Sequence, residues 1–205
     1  MAEPFETFTS RVVPLPAENV DTDQIIPARF LKTTEKSGLA GALFADWRYR
    51  PDGTPDPGFV FNRRGMAGRQ ILLAGGNFGG GSSREHAPWA LVAWGIRAIL
   101  SSGFADIFRS NALKNGLLPI AVETERHRQL FALVAADPDV ELTVDLEAQV
   151  VHLPGDEDLP FEIDPFARRM LLAGTDEIGY VLSRSAAIEA HEATHPPRVD
   201  TAAPG

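Results

Sequence analysis

Residues 70–102, QILLAGGNFGGGSSREHAPWALVAWGIRAILSS, decide the fold. ILLA is a short run of apolar residues, which predicts a buried strand over residues 71–74. A glycine-rich stretch from Gly75 to Gly81 follows, then Ala87, Ala90, Leu91 and Trp94 recur at helical spacing until Gly95 stops the helix. RAILSS begins a second buried strand directly afterwards. Outward from there, residues 104–116 predict a helix closed by Gly116, residues 117–122 (LLPIAV) a third strand, and residues 125–137 a further helix. Strands alternating with helices at this spacing predict an α/β layer with parallel pairs.

The flanks read differently. TSRVVPL (residues 9–15) is a short strand ahead of the layer. VELTVDL (140–146) and QVVHL (149–153) predict a β-hairpin, with a third short strand near 159–163 and the acidic DEDLP (156–160) as a solvated turn. DPFARRMLLAG predicts a Pro-initiated helix, and TDEIGYVLS starts another from Thr175. The fold class is therefore α/β with a strand–glycine loop–helix element and a late β-ribbon. One domain over residues 1–192 is expected, with a frayed tail over 193–205.

Composition narrows the function. With 205 residues, 44% hydrophobic and 23% charged, the chain is globular, and no apolar run approaches the ~18 residues of a membrane span. It has no cysteine, which excludes disulfides, thiolate nucleophiles and an iron–sulfur cluster ligated by cysteines of this chain. A net charge of −9 opposes nonspecific nucleic-acid binding. The start carries no basic and apolar leader, so a cytoplasmic location is expected.

Chemistry concentrates in the loop and the helix start. Glycines let backbone amides approach a ligand, and a helix N-terminus favours anions. Ser82-x-x-Glu85 matches a capping box, although Pro88 argues for a helix beginning nearer His86. G-x-G-x-x-G fails because Asn77, Phe78 and Arg84 occupy needed glycine positions, and no lysine follows as a P-loop requires. Arg84 suits a carboxylate bidentately. The residues alone fit a tight capping turn and an anion site equally well.

Three blocks carry a family resemblance: VDTDQIIPARFLK, NFGGGSSREHAPWAL and SSGFADIFRSNALKNGLLPI. In order and spacing they resemble the small subunits of 3-isopropylmalate dehydratase, relatives of the swivelling C-terminal domain of aconitase. DPFARRMLLAGTDEIGYVL resembles the family's last helices. One departure is GGNFGGG where bacterial members usually read RENFGCG. The resemblance implies a swivelling β/β/α domain and a hydro-lyase that interconverts 2- and 3-isopropylmalate through a cis-alkene in leucine biosynthesis. It implies that no cofactor is bound by this chain and that a 4Fe-4S cluster sits in a partner large subunit, in a heterodimer or heterotetramer. The substrate implied is a small dicarboxylate hydroxyacid. Ser82 is the implied base, with Ser83 and Arg84 on the substrate carboxylate. Asp23, Arg29 and Leu31 fall in the recognition segment beside Phe30 and Lys32. Gly79, Gly81, Glu85, His86, Asn111 and Lys114 support the loop. The alternatives are a homoaconitase- or methylcitrate-type relative, or a non-catalytic anion-binding module.

Other motifs read as structure. His191-Glu192-Ala193-Thr194-His195 is a literal HExxH, but Pro196 and Pro197 end any helix there, so no metal site is expected. His127, between Arg126 and Arg128, reads as part of an exposed charged face, and Trp89 and Trp94 read as core.

Overall fold

A computed structural model describes residues 3–32 and 38–195. One seven-stranded sheet runs in the order β4-β3-β2-β1-β5-β6-β7. Its strands are β1 (Phe8–Leu15), β2 (Ile71–Ala74), β3 (Ala98–Ser101), β4 (Leu118–Ala121), β5 (Glu141–Asp145), β6 (Val150–Leu153) and β7 (Glu157–Pro160). β1 to β4 are parallel, and β5 joins the other edge of β1 antiparallel, continued by β6 and β7. The predicted α/β layer and late ribbon thus share one strand, β1.

The buried strands are apolar on both faces, as helix-covered parallel strands must be. Their period of two divides the core. Leu72, Ala74 and Ile99 pack in one cluster with Phe44, Phe78, Leu91 and Phe108. Ile71, Leu73, Ala98 and Leu100 pack in the other with Leu130, Val134, Val144 and Val151. The first cluster lies under α1 (Thr22–Ile25), α2 (Ala45–Arg48), α3 (His86–Trp94) and α4 (Asp106–Lys114), and the second under α5 (Thr124–Ala136). Trp89 and Trp94 pack against the first cluster, as expected for core residues. The chain closes with α6 (Pro165–Ala173), α7 (Glu177–Leu182) and α8 (Ser185–Thr194). At α6, Asp164 accepts hydrogen bonds from the amides of Phe166 and Ala167, with Pro165 at the first helical position.

Three expectations are corrected. The third ribbon strand is Glu157–Pro160 rather than 159–163, so DEDLP is largely strand. The turn lies earlier, at Gly155 and Asp156, both with positive φ. An edge strand needs only one inward side chain, here Leu159, and its carboxylates can face water. His127 is 6% exposed, with its ring edge against Phe131. It shares the inward stripe of α5 with Leu130 and Val134, one turn and two turns on. Thirdly, Ser82 does not cap α3: the residue before that helix, Glu85, has helical φ and ψ and makes no side-chain cap. Pro88 occupies the third helical position, where no intrahelical amide bond is lost. The HExxH lies at the exposed end of α8, and no group of three His, Cys, Asp or Glu among the described residues could hold a metal ion. Of the tail expected over 193–205, Ala193 and Thr194 belong to α8, and residues 196–205 lie outside the described residues.

Candidate functional site

The glycine-rich loop leaves the sheet at Ala74 and is sewn to two neighbouring segments. On one side the amides of Gly79 and Gly80 donate to the Val20 carbonyl at 2.7 and 3.3 Å, and the Thr22 amide donates to Gly80 at 2.8 Å. On the other, Phe78 donates to the Gly103 carbonyl at 2.9 Å and Ala105 donates back to Phe78 at 3.0 Å. Phe78 is thereby pinned in the core, edge-on to Phe108. Gly79 lies against that same ring with φ +83°, and an added Cβ would fall 2.7 Å from Phe108 Cδ1 and nearer still to Cβ and Cγ. Only glycine fits there, for both space and backbone.

The segment on the Val20 side is organised by a capping box that the sequence reading missed. Asp21 caps α1, accepting from the Gln24 amide at 2.7 Å, while the Gln24 side chain accepts from the Asp21 amide at 2.8 Å. The signal was present as Asp21-x-x-Gln24, but four helical residues are too few to show periodicity. Thr22, buried, donates through Oγ1 to the Ser82 carbonyl at 3.0 Å. Asn77 and Asn19, both at positive φ, meet through their side-chain amides at 2.9 Å.

This framework delivers Ser82 and Ser83 to the exposed rim and brings Arg84 onto Asp23. Both terminal nitrogens of Arg84 donate to the two carboxylate oxygens of Asp23, Nη2 at 2.8 Å. The capping box, the loop and the α3 start therefore converge on Ser82, Ser83, Arg84 and Asp23. Gly81, at φ +87°, lies beside Thr22 and Asp21. Glu85 and His86 continue from the rim into α3, where the His86 ring rests 4.6 Å from that of Trp89.

The remaining expected residues lie on other segments. Arg29 is exposed and paired with Asp46 at 2.6 Å, its guanidinium 4.7 Å over the Phe30 ring. Phe30 and Leu31 are half-buried against the core. Lys32 is exposed, and residues 33–37 are not described. Asn111 braces α4: its carbonyl accepts from the Asn115 side chain at 2.8 Å, and Asn115 accepts from Trp89 Nε1 at 2.8 Å. Lys114 lines a cavity of about 710 Å³ between α3, α4, α6 and α7, which Glu85 also borders. Asn111 and Lys114 both belong to α4, which packs beside α3.

Chemically, the site offers two exposed hydroxyls beside an oriented guanidinium, a set suited to a carboxylate-bearing substrate. A 4Fe-4S cluster with cysteine ligands does not fit this chain, which has no cysteine.

Comparison with known proteins agrees. The aconitase C-terminal domain family matches residues 2–125, and the LeuD_N family matches residues 128–165. The 3-isopropylmalate dehydratase small subunit of Chloroflexus aggregans is 56% identical, covering 97% of this chain and 98% of that protein. That of Anaeromyxobacter dehalogenans is 56% identical over 93% and 97%. The crystal structure of 3-isopropylmalate dehydratase (leuD) from Methanocaldococcus jannaschii superposes with a TM-score of 0.67 at 28% identity, covering 91% of this chain and 99% of that one. Loop, sheet and near-full-length identity lead to one assignment: the chain belongs to the family of 3-isopropylmalate dehydratase small subunits.

Proposed function

We propose that this chain is the small subunit of a cytoplasmic hydro-lyase that isomerises 2- and 3-isopropylmalate by dehydration and rehydration, active only with a large subunit. The observation that carries the reading is the exposed pair Ser82 and Ser83 beside the Arg84 guanidinium, on a loop hydrogen-bonded to Val20, Thr22 and Gly103. A second protein must close such a site to exclude water. A cluster-bearing large subunit would supply Lewis-acid chemistry toward the substrate hydroxyl.

This chain's part is acid–base and positional. Ser82 takes the proton α to a carboxylate as an alkoxide and returns it when water re-adds. Arg84, two residues away, supplies the positive charge that such an alkoxide requires. Ser83 and the remaining N–H groups of Arg84 hold the substrate carboxylate. Asp23, already paired, orients Arg84 instead of touching an anionic substrate, and Leu31 faces the isopropyl group. Arg29, paired with Asp46 in the free chain, belongs with Leu31 to the substrate-recognition segment.

The test is anaerobic reconstitution with a cluster-bearing large subunit, following alkene formation from 3-isopropylmalate. Activity is expected only in the pair and is lost with Ser82→Ala while pairing persists. A pair active only on homocitrate- or methylcitrate-type substrates replaces the substrate assignment. A chain that binds dicarboxylate alone and never pairs supports a binding module instead.

A further inference from the structure

Three consecutive carbonyls where the loop leaves β2 are each held by a donor from a different element. The Ala74 carbonyl lies 2.7 Å from His127 Nε2 of α5. The Gly75 carbonyl accepts from Ser101 Oγ of β3 at 2.7 Å. The Gly76 carbonyl accepts from the Asn19 amide at 2.9 Å. Two of these donors are side chains sealed from solvent: Ser101 is 0% exposed and His127 6%. A carbonyl can only accept, so His127 carries its hydrogen on Nε2, in the neutral ring as in the cation.

Ser101 also ties the loop to its second neighbour. Its Oγ lies 2.8 Å from the Gly103 carbonyl and accepts from the Gly103 amide at 3.2 Å. A hydroxyl has one proton, and Gly103 is already served by the Phe78 amide, which leaves that proton for Gly75. The loop's departure angle from the sheet is thus set by polar side chains from α5 and β3, in a region otherwise apolar.

We propose that His127, with Ser101, is a positioning residue for the loop that carries Ser82 and Arg84. The inference rests on the reading of Ser82–Arg84 as the reacting edge. Neither side chain touches substrate; both act by fixing the direction in which the loop leaves the sheet. Displacement of a reacting group by about 1 Å can cost on the order of a hundredfold in rate. Loss of a single anchor among several should cost less.

The test has two readouts. In the full chain, amide hydrogen exchange is measured over residues 76–81. In the reconstituted pair, kcat and KM are measured on 3-isopropylmalate. His127→Leu, close in bulk but without a donor, should speed exchange at Gly79 and Gly80 roughly tenfold and lower kcat about tenfold, with KM within about twofold. His127→Gln, whose amide can reach the same carbonyl, should restore both. Ser101→Ala, the smaller change, should speed exchange over the same residues and decides the matter if His127→Leu does not fold. His152→Leu on the exposed ribbon is the histidine control. Unchanged exchange in both His127→Leu and Ser101→Ala overturns the proposal, as does failure of His127→Gln to outperform His127→Leu. A wild-type pair inactive on isopropylmalate sinks the substrate reading instead and leaves the exchange result to judge the anchor.

Discussion

Arg84 and Asp23, 61 residues apart in sequence, meet fork to fork, with both carboxylate oxygens of Asp23 engaged by the guanidinium. The Arg84 side chain is 14% exposed and that of Asp23 55%. The arginine is therefore the sheltered partner, and the carboxylate clamps it from the solvent side. Asp23→Asn keeps the shape and removes the charge, so KM should rise roughly threefold to tenfold with a smaller change in kcat. Arg84→Lys should raise it further, because an ammonium cannot reproduce the fork. Steady-state kinetics of the reconstituted pair decide the point. A lower KM in Asp23→Asn would instead make Asp23 a competitor of the substrate carboxylate.

Asp21 holds the turn on which Asp23 rides. Asp21→Ala should lower stability by about 1 kcal/mol through the lost cap. It should also reproduce the kinetic signature of Asp23→Asn in weaker form. Urea titration alongside kinetics separates the two effects, and a stability loss without any rise in KM would break the link between cap and site.

Gly79→Ala places a methyl inside the Phe108 ring and forces a side chain onto a backbone at φ +83°. A loss of about 1–3 kcal/mol is expected, together with disturbance of the rim. The double variant Gly79→Ala/Phe108→Ala, which removes Cγ and Cδ1, should cost less than the sum of the two single variants. Strict additivity would place the cost in the backbone instead of the contact with the ring.

Leu31→Ala tests substrate shape. If Leu31 faces the isopropyl group, the preference in kcat/KM for isopropylmalate over a methyl-bearing malate should fall about tenfold or more. Leu31 also packs against the core, so a lower thermal midpoint with an unchanged preference would assign it to packing alone.

Glu123 caps α5 by accepting from the amides of Glu125 and Arg126, and those hydrogen bonds hold its carboxyl below the usual glutamate range. A depressed folded-state value means stability present above the unfolded pKa and lost as pH falls through the folded one. Acid destabilisation from about pH 5 downward should therefore be shallower in Glu123→Gln. The group is fully exposed, so the difference will be small, and urea midpoints across that range will show it.

Much of this was legible because the parallel layer is built from short apolar runs bounded by glycine. ILLA is the second strand as read, and the cluster at Ser82–Arg84 occupies the loop that the sequence singled out. What escaped notice had local chemistry that pointed elsewhere. His127 sits between two arginines, yet its spacing of three and seven residues to Leu130 and Val134 places it inward. β7 is largely acidic, and its strand character comes from pairing with β6, which no residue of its own announces. Of two candidate capping boxes, the one beside the glycine loop was the more visible and the one at Asp21 is the one formed. Arg29 pairs with Asp46, 17 residues on, a contact between separate segments that no local pattern announces.

The shared strand β1 has a consequence for how the chain can be cut. The two family matches divide near residue 126, but the sheet does not: β1 bonds to β2 on one side and to β5 on the other. A fragment ending at that division would present Phe8 to Arg11 as a bare edge, its ladder partners Glu141 to Val144 gone and His127 removed from Ala74. Unpaired edges of this kind recruit other chains. Such a fragment should aggregate rather than fold as a half-protein, and adding the missing piece in trans should rescue it by strand complementation.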